Sequence, residues 1–286
     1  MLRSSYFAAS RLSLAVPASV GNAVARAGGS LWYRGSPGQR RAAHDNYAVV
    51  LGRSPDDPEV RRVARRAFQN YGIMIADFLR MGTLTPETVI GRVGHDGREH
   101  VDRALERGRG CVLALAHMGA WDMAAAVAAS FDYKLLAVAE RFPGSLNEAV
   151  VGARERFGVH ITMVNRRTIS EIRAALARNE LVALLCDLPQ GPGGAAVSFF
   201  GQAARVPAGP AAFMLKDGAG LVPVRINRIG EERYHVHVDP EIAYTATGDR
   251  RHDTQAIMQS VVSRFERFIS QQPDQWYAFR PLFTPA

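Results

Sequence analysis

A strand, a turn and a helix in succession are predicted by a short stretch near the middle of the chain, Cys111-Val-Leu-Ala-Leu-Ala-His117-Met-Gly-Ala-Trp-Asp122. Its opening residues are all apolar, which is typical of a buried strand. Gly119 permits a sharp turn, and the apolar residues from 121 to 129 predict a helix. We therefore expect His117 at the carboxyl end of a strand and Asp122 in the first turn of the following helix. In open α/β sheets this crevice is where ligands bind.

A histidine and a carboxylate in such a crevice favour acid–base chemistry. A carboxylate at Asp122 is placed to bind one imidazole nitrogen of His117, which leaves the other nitrogen as a general base. That arrangement suits the removal of a proton from an alcohol. The alternative is a strand-end histidine bonded to a helix-capping aspartate, and the spacing alone leaves both interpretations open.

From about residue 110 the pattern alternates between strands and helices, whereas residues 1 to about 85 show helical spacing only. This predicts an α/β fold with a mixed, mostly parallel sheet flanked by helices and a helical N-terminal region. We expect a single domain over residues 1–286, with a membrane-associating helical region (1–85) and an α/β catalytic core (86–286). The predicted strands are 111–116, 135–139, 160–164, 181–186, 196–200, 221–226 and 234–238, and the predicted helices are 121–130, 146–157, 169–178, 210–217 and 254–271.

The composition narrows the class of protein. Apolar residues make up 47% of the 286-residue chain, which is ample for a buried core. The net charge of +8 favours an anionic partner, such as a membrane surface, a phosphorylated substrate or nucleic acid. The sequence contains no standard nucleic-acid motif, so no nucleic-acid partner is expected. Cys111 and Cys186 lie in separate apolar runs and are interpreted as small core residues, and no metal site is expected.

The N-terminal segment combines apolar residues with arginines. Arg3, Arg11 and Arg26 occur within residues 1–34, and no stretch reaches the ~20 apolar residues that a spanning helix needs. We predict an amphipathic helix that lies on an anionic membrane surface. Two alternatives stay open, namely a helix packed on the protein's own core and a secretory signal peptide.

Further polar residues follow the predicted strands. Arg141 and Arg166 each come after a strand, where a guanidinium suits a phosphate, although a surface salt bridge explains them as well. Asp187 closes another strand and either lines the site or caps the next turn. Gly209 begins a helix whose free backbone N–H groups suit an anion, although a tight strand–helix connection explains the same residue.

The sequence also lacks the motifs of several other enzyme classes. It contains no GxSxG, no HExxH and no GxGxxG after a strand, and Cys186 has no evident histidine partner. These absences argue against the usual α/β-hydrolases, zinc proteases and dinucleotide-binding enzymes.

A set of residues in fixed chain order resembles the pattern of the bacterial lipid A biosynthesis acyltransferases and their relatives, the phosphatidylinositol mannoside acyltransferases. The resemblance begins with the His-x4-Asp pattern at His117 and Asp122 and covers nearly the whole chain. The other matching positions, in chain order, are Arg141, Asn147, Arg154, Gly158, Arg166, Asp187, Phe199-Phe200-Gly201, Ala208-Gly209, residues 273–276 and residues 280–283.

The resemblance implies a peripheral membrane O-acyltransferase on the cytoplasmic face of the membrane. Such an enzyme moves a fatty acyl group from acyl-CoA or acyl carrier protein to a hydroxyl of a glycolipid, without a metal or further cofactor. His117 is expected as the general base, and Asp122 as the carboxylate that holds it. The residues expected to bind substrate are Arg141, Arg154, Arg166, Asp187 and Gly209. Two alternatives remain, a lysophospholipid or glycerol-phosphate acyltransferase and a catalytically inactive membrane-binding homologue.

Overall fold

The fold is built on a mixed seven-stranded sheet, seen in a computed structural model that describes residues 16–81, 84–139, 146–191 and 193–283. The strands of the described residues are β1 (Val93–Asp96), β2 (Cys111–Leu115), β3 (Leu135–Ala139), β4 (Val159–Met163), β5 (Leu181–Leu185), β6 (Ala195–Phe199), β7 (Gln202–Val206), β8 (Gly220–Gly230) and β9 (Arg233–Val238).

The strand order in the sheet is β1-β9-β8-β2-β5-β3-β4. Strands β8, β2, β5, β3 and β4 are parallel to one another, β9 is antiparallel to β8, and β1 pairs in parallel with β9. Strands β6 and β7 form a separate antiparallel hairpin. The predicted fold class, a mixed and mostly parallel sheet flanked by helices, is confirmed.

Helices cover both faces of this sheet, and β2 at its centre is therefore buried along its whole length. The helices of the described residues are α1 (Ala18–Gly35), α2 (Pro37–Leu51), α3 (Pro58–Met81), α4 (Pro86–Arg92), α5 (Arg98–Leu105), α6 (Trp121–Ser130), α7 (Leu146–Glu155), α8 (Thr168–Ala177), α9 (Gly209–Asp217) and α10 (Arg250–Gln271). Helices α5, α6 and α7 share one apolar cluster with Leu113 and Leu115, whereas α8, α9 and α10 share the other with Val112 and Ala114.

The N-terminal helices pack against the same core as the sheet. Tyr47 on α2 and Phe68 on α3 are fully buried and belong to the cluster that contains Val112 and Val182. Helix α1 lies closely along α3, where a Cβ at Gly29 would come within 2.3 Å of the carbonyl oxygen of Phe68. Residues 1–15 lie outside the described part of the chain, so the predicted amphipathic helix can be compared only from Ala18 onward.

The strands and helices that the sequence patterns did not predict are short or polar. Strand β1 buries only Val93 of its four residues, so it lacks the apolar alternation of a half-buried strand. Strand β7 buries only Ala204 and Val206. Helix α5 has eight residues and buries only Val101 and Ala104, so its apolar periodicity is brief.

Candidate active site

His117 lies at the carboxyl end of the central strand β2, beside the equivalent end of β5. The two strands are in register, with Leu115 opposite Leu185. His117 and Asp187 each follow these residues by two positions, so the parallel pairing places them side by side. The amide of Cys186 also donates to the carbonyl of Leu115 at 2.9 Å, which extends the pairing toward the site.

Asp187 is the carboxylate that holds the imidazole. Its Oδ1 lies 2.6 Å from His117 Nδ1, and its Oδ2 accepts the backbone N–H of His117 at 3.0 Å. The same Oδ2 accepts the indole N–H of Trp276 at 2.7 Å. Asp187 is fully buried, whereas the side chain of His117 remains 26% exposed. The imidazole is therefore anchored at one edge and accessible at the other.

These contacts keep Asp187 ionised. Burial alone would raise the pKa of Asp187, but the adjacent His117 and the hydrogen bonds from His117 and Trp276 together hold that pKa below its ordinary value. An ionised carboxylate only accepts hydrogen bonds, so Nδ1 of a neutral imidazole carries the proton and Nε2 carries the lone pair. The geometry thus suits proton abstraction at Nε2.

The structure differs from the sequence-based expectation at Asp122. Its carboxylate is nearly buried and accepts Nε of Arg154 at 2.7 Å, with Nη2 of Arg154 at 3.4 Å from the second oxygen. Asp122 sits in the first turn of α6, where it joins that helix to Arg154 in the last turn of α7. The expected pairing of Asp122 with the His117 ring is therefore corrected to a pairing of Asp187 with that ring.

The turn after His117 is tightly fixed. Gly119 has φ +62°, and a Cβ there would lie 1.7 Å from the carbonyl oxygen of Ile226. Gly119 donates its amide to the carbonyl of Gln275 at 2.9 Å, and the amide of Tyr277 donates to the carbonyl of His117 at 2.7 Å. Residues 275–283, which we call the C-terminal strap, thus run directly along the turn that follows His117.

An apolar cavity of about 600 Å³ opens beside His117. It extends between helix α6 and the sheet, with Ala124, Ala125 and Ala128 on the helix side. Because these side chains are small, α6 leaves space over the sheet instead of filling it. The strand side chains that face the space include Leu113, Leu115, Leu135, Ala137, Leu181 and Ala183. His117, Asp122 and Arg154 all contribute to the lining, so the imidazole and the Asp122–Arg154 pair border the same cavity.

The remaining residues that were predicted to bind substrate lie at different distances from the cavity or outside the described residues. Arg141 lies outside the described residues. Arg166 is exposed in the loop after β4, close in sequence to Val164, which lines the cavity. Gly209 begins α9 as predicted, but it does not line the cavity, so the structure gives no support to an anion-binding role there.

The expectation that Asp187 binds substrate is replaced by its pairing with His117, because its side chain is fully buried and does not line the cavity. The sequence patterns give Trp276 no role of its own. The signal for Asp187 was its position at a strand end. Trp276 follows the histidine by more than 150 residues, and only its place in the family-like C-terminal pattern singled it out. The burial of its ring beside Asp187 emerges only from the folded structure.

The fold and this site combine a His–Asp pair with an apolar cavity, an arrangement that suits acid–base chemistry on a substrate with a long apolar part. The chain belongs to the bacterial lipid A biosynthesis acyltransferase family, because the family's sequence profile matches residues 2–284. Among curated relatives, the phosphatidylinositol mannoside acyltransferase of Mycolicibacterium smegmatis is 33% identical over 286 residues, covering 96% of this chain and 89% of the relative. The protein of the same name from Mycobacterium tuberculosis is 30% identical over 256 residues, covering 86% and 77%. The resemblance inferred from the ordered motifs is confirmed.

Proposed function

We propose that this protein transfers a fatty acyl group from an acyl thioester to a hydroxyl group of a glycolipid. The observation that carries the proposal is the meeting of the His117–Asp187 pair with a large apolar cavity. The pair supplies a base for a hydroxyl group, and the cavity has the apolar lining that a fatty acyl chain requires. Family membership adds acyl transfer as the class of reaction.

In the proposed mechanism, Nε2 of His117 takes the proton of the acceptor hydroxyl as its oxygen attacks the thioester carbonyl. Asp187 stabilises the resulting imidazolium. The new C–O bond forms, the C–S bond breaks, and the imidazolium returns its proton to the departing thiolate. General-base assistance of this kind contributes about 10²–10⁴-fold to the rate. Every proton in this sequence moves through His117.

Arg154 is the proposed anion contact within the site. Its guanidinium lines the cavity and is held by Asp122, so its position is fixed before substrate arrives. A fixed guanidinium suits either the oxyanion of the attacked carbonyl or a phosphate of the donor. We also propose donor phosphate contacts for Arg141 and Arg166, on the basis of their positions after strands.

The proposed acceptor is a glycolipid of the phosphatidylinositol mannoside type, on the basis of what the two mycobacterial relatives are named for. A lysophospholipid is the second candidate, because the same base serves any small lipid alcohol. The proposed donors are acyl-CoA and acyl carrier protein, which present the same thioester.

Product analysis tests the proposal. Purified protein is incubated with palmitoyl-CoA and one acceptor per reaction, either phosphatidylinositol mannosides, lipid A precursors or lysophosphatidate. The lipid products are identified by mass spectrometry. Acylated glycolipid in the wild type is the expected result. Acylation of lysophosphatidate alone would replace the glycolipid by the smaller acceptor. An absence of acylated lipid with both acyl-CoA and acyl carrier protein donors would contradict the proposed function.

The cavity predicts how a bulkier α6 changes the choice of acyl chain. Replacing Ala128 by phenylalanine fills space that the end of a long chain would use. Each excluded methylene costs about 0.8 kcal/mol, so displacing two lowers the preference for palmitoyl-CoA over octanoyl-CoA by roughly tenfold. Competition assays with mixed thioesters measure this ratio.

Ala174→Phe is the matched control for this prediction. Ala174 is exposed on α8, and it does not line the cavity. An unchanged ratio is expected in this control. An unchanged ratio in Ala128→Phe as well would place the acyl chain outside this cavity.

We propose that α1 docks the protein on the cytoplasmic face of an anionic membrane. Val20, Val24 and Leu31 are 48%, 67% and 65% exposed and recur at helical spacing on its outer face. The sequence before Asp45 contains no carboxylate and carries Arg3, Arg11, Arg26, Arg34, Arg40 and Arg41. Apolar side chains beside arginines suit an interface with anionic lipids. No helix within the described part of the chain is long and apolar enough to cross a bilayer.

Aspartates on this face should weaken membrane binding. The double variant Val24→Asp/Leu31→Asp removes two apolar contacts and adds two negative charges, so binding to vesicles of anionic phospholipid is expected to fall at least tenfold. Vesicle sedimentation measures the bound fraction. Ile90→Asp, which alters an exposed apolar residue on α4, is the control and should bind as the wild type does. Full binding by the double variant would locate the membrane contact elsewhere.

A further inference from the structure

We propose that Trp276 is a positioning residue for the His117–Asp187 pair, and that the C-terminal strap is thereby part of the catalytic unit. This inference rests on the proposed function, because it assigns Trp276 a role in the same acyl transfer. It adds a residue that lies far from both members of the pair in sequence.

The contact between Trp276 and Asp187 constrains the carboxylate directly. Oδ2 of Asp187 accepts two hydrogen bonds, from the indole N–H at 2.7 Å and from the His117 amide at 3.0 Å. Two donors on one oxygen fix the plane of the carboxylate and leave Oδ1 for His117 Nδ1. Because the Asp187 side chain is fully buried, no solvent molecule substitutes for the indole without displacing packed side chains.

The indole itself is held on several sides. Trp276 is fully buried, with the ring of Tyr47 at 5.9 Å in an edge-to-face arrangement and the ring of Phe199 also at 5.9 Å. The hydroxyl of Tyr47 donates to the carbonyl of Trp276, and Met118 forms a β-bridge with Trp276. Ring and backbone are therefore both fixed relative to the turn that follows His117.

The rest of the strap is secured by side chains from distant elements. Asn46 on α2 donates to the carbonyls of Ala278 and Arg280 at 3.0 and 2.7 Å. The amide group of Gln275 bonds both the N–H and the carbonyl of Arg228 at 2.8 Å. The N-terminal helices and the sheet thus hold the strap in place, and the strap holds the His117–Asp187 pair.

The indole also changes the chemistry of the pair. A donor on Oδ2 draws electron density from the carboxylate, and its hydrogen bond contributes to the lowered pKa of Asp187. Without it, Asp187 holds the Nδ1 proton more strongly and stabilises the imidazolium more. The pH at which activity rises should therefore move upward. Among the described residues, the other titratable groups packed against the pair and the indole are Cys186 beside Asp187 and Tyr47 beside Trp276. The nearby cavity lining adds Asp122 with Arg154, Tyr71, Tyr277 and Arg280, and the substitution replaces none of these side chains.

The test is Trp276→Phe, which keeps an aromatic ring and removes the donor. We expect kcat to fall about tenfold, KM for the thioester to stay unchanged, and the low-pH limb of the kcat profile to move up by roughly half a pH unit. Phe199→Leu is the control, because it loosens the packing of the same indole without removing its N–H. It should lower the melting temperature and leave the pH limb in place.

A second replacement keeps the test decisive if the phenylalanine variant does not fold. Incorporating β-(3-benzothienyl)alanine at position 276 preserves the shape of the indole and replaces the N–H by sulfur, so the same pH shift is expected. A pH limb identical to that of the wild type in either replacement would overturn the positioning role.

The wild type, assayed in parallel, separates the two proposals. If it transfers acyl groups and the replacements do not shift the pH limb, only the role of Trp276 fails. If the wild type shows no transfer, the proposed function fails. The ¹⁵N resonances of His117, followed against pH in wild type and variant, then still report whether the indole acts on the pair.

Discussion

Replacing His117 by alanine is expected to lower kcat by about 10²–10⁴-fold and to leave the fold intact. The imidazole is the proposed carrier of every proton in the reaction, and no other histidine in the described residues lines the cavity near it. His95, which also lines the cavity, lies on β1, at the opposite edge of the sheet from β4 and three strands from β2. Because the His117 side chain is partly exposed, its removal leaves no large buried void. Steady-state acyl transfer with a saturating donor measures the loss.

The control for this prediction is His160→Ala. His160 is exposed on β4 and does not line the cavity, so this variant should retain wild-type turnover. Circular dichroism should match across all three proteins, whereas His117→Ala should melt at a somewhat lower temperature because the buried carboxylate of Asp187 loses one hydrogen-bond partner. Wild-type turnover in a folded, pure sample of the His117→Ala variant would contradict the assignment of the base.

Replacing Asp187 by asparagine is expected to reduce kcat by roughly 10²–10⁴-fold, a far larger loss than the one from Asp122→Asn. Asparagine has a similar shape but no charge, so it no longer stabilises the imidazolium or fixes the proton on Nδ1. Asp122→Asn instead weakens the hold on Arg154. Its effect should appear in KM for the donor where Arg154 binds a donor phosphate, and as a smaller loss of kcat where Arg154 stabilises the oxyanion. The two variants, compared at matched pH and donor concentration, test which aspartate serves the histidine.

The reverse order of effects would restore the arrangement suggested by His-x4-Asp spacing. A loss of kcat in Asp122→Asn that exceeds the loss in Asp187→Asn would mean that Asp122 reaches the imidazole during turnover. Arg154→Gln helps to interpret the result, because it should reproduce the Asp122→Asn effect and add little to it in the double variant.

Sequence patterns correctly predicted the position of His117 and of the helix that follows it. The apolar run and the glycine turn placed His117 at the end of β2, and α6 was predicted with the bounds that the structure shows, Trp121–Ser130. These are local features, because a buried strand followed by an apolar helix is specified within about twenty residues. The spacing that brought Asp122 to attention is equally local.

The pairing within the site depends on contacts that local patterns do not encode. Strands β2 and β5 are neighbours although β3 and β4 lie between them in sequence, so the proximity of His117 and Asp187 follows from strand order alone. Asp122 lies close in sequence, but the direction of its side chain on α6 takes it to Arg154. Trp276 reaches Asp187 only because the strap folds back along the turn that follows His117. Strand order and chain reversal are set by packing across the whole core.

The role of His117 as the base is tested by thiol release from palmitoyl-CoA, measured with and without extracted glycolipid in the wild type and His117→Ala side by side. We expect the lipid to stimulate thiol release by the wild type, and we expect this stimulated release to be lost in the variant. Lipid-stimulated release of equal rate in both proteins would contradict it, because the acceptor hydroxyl would then be activated without His117.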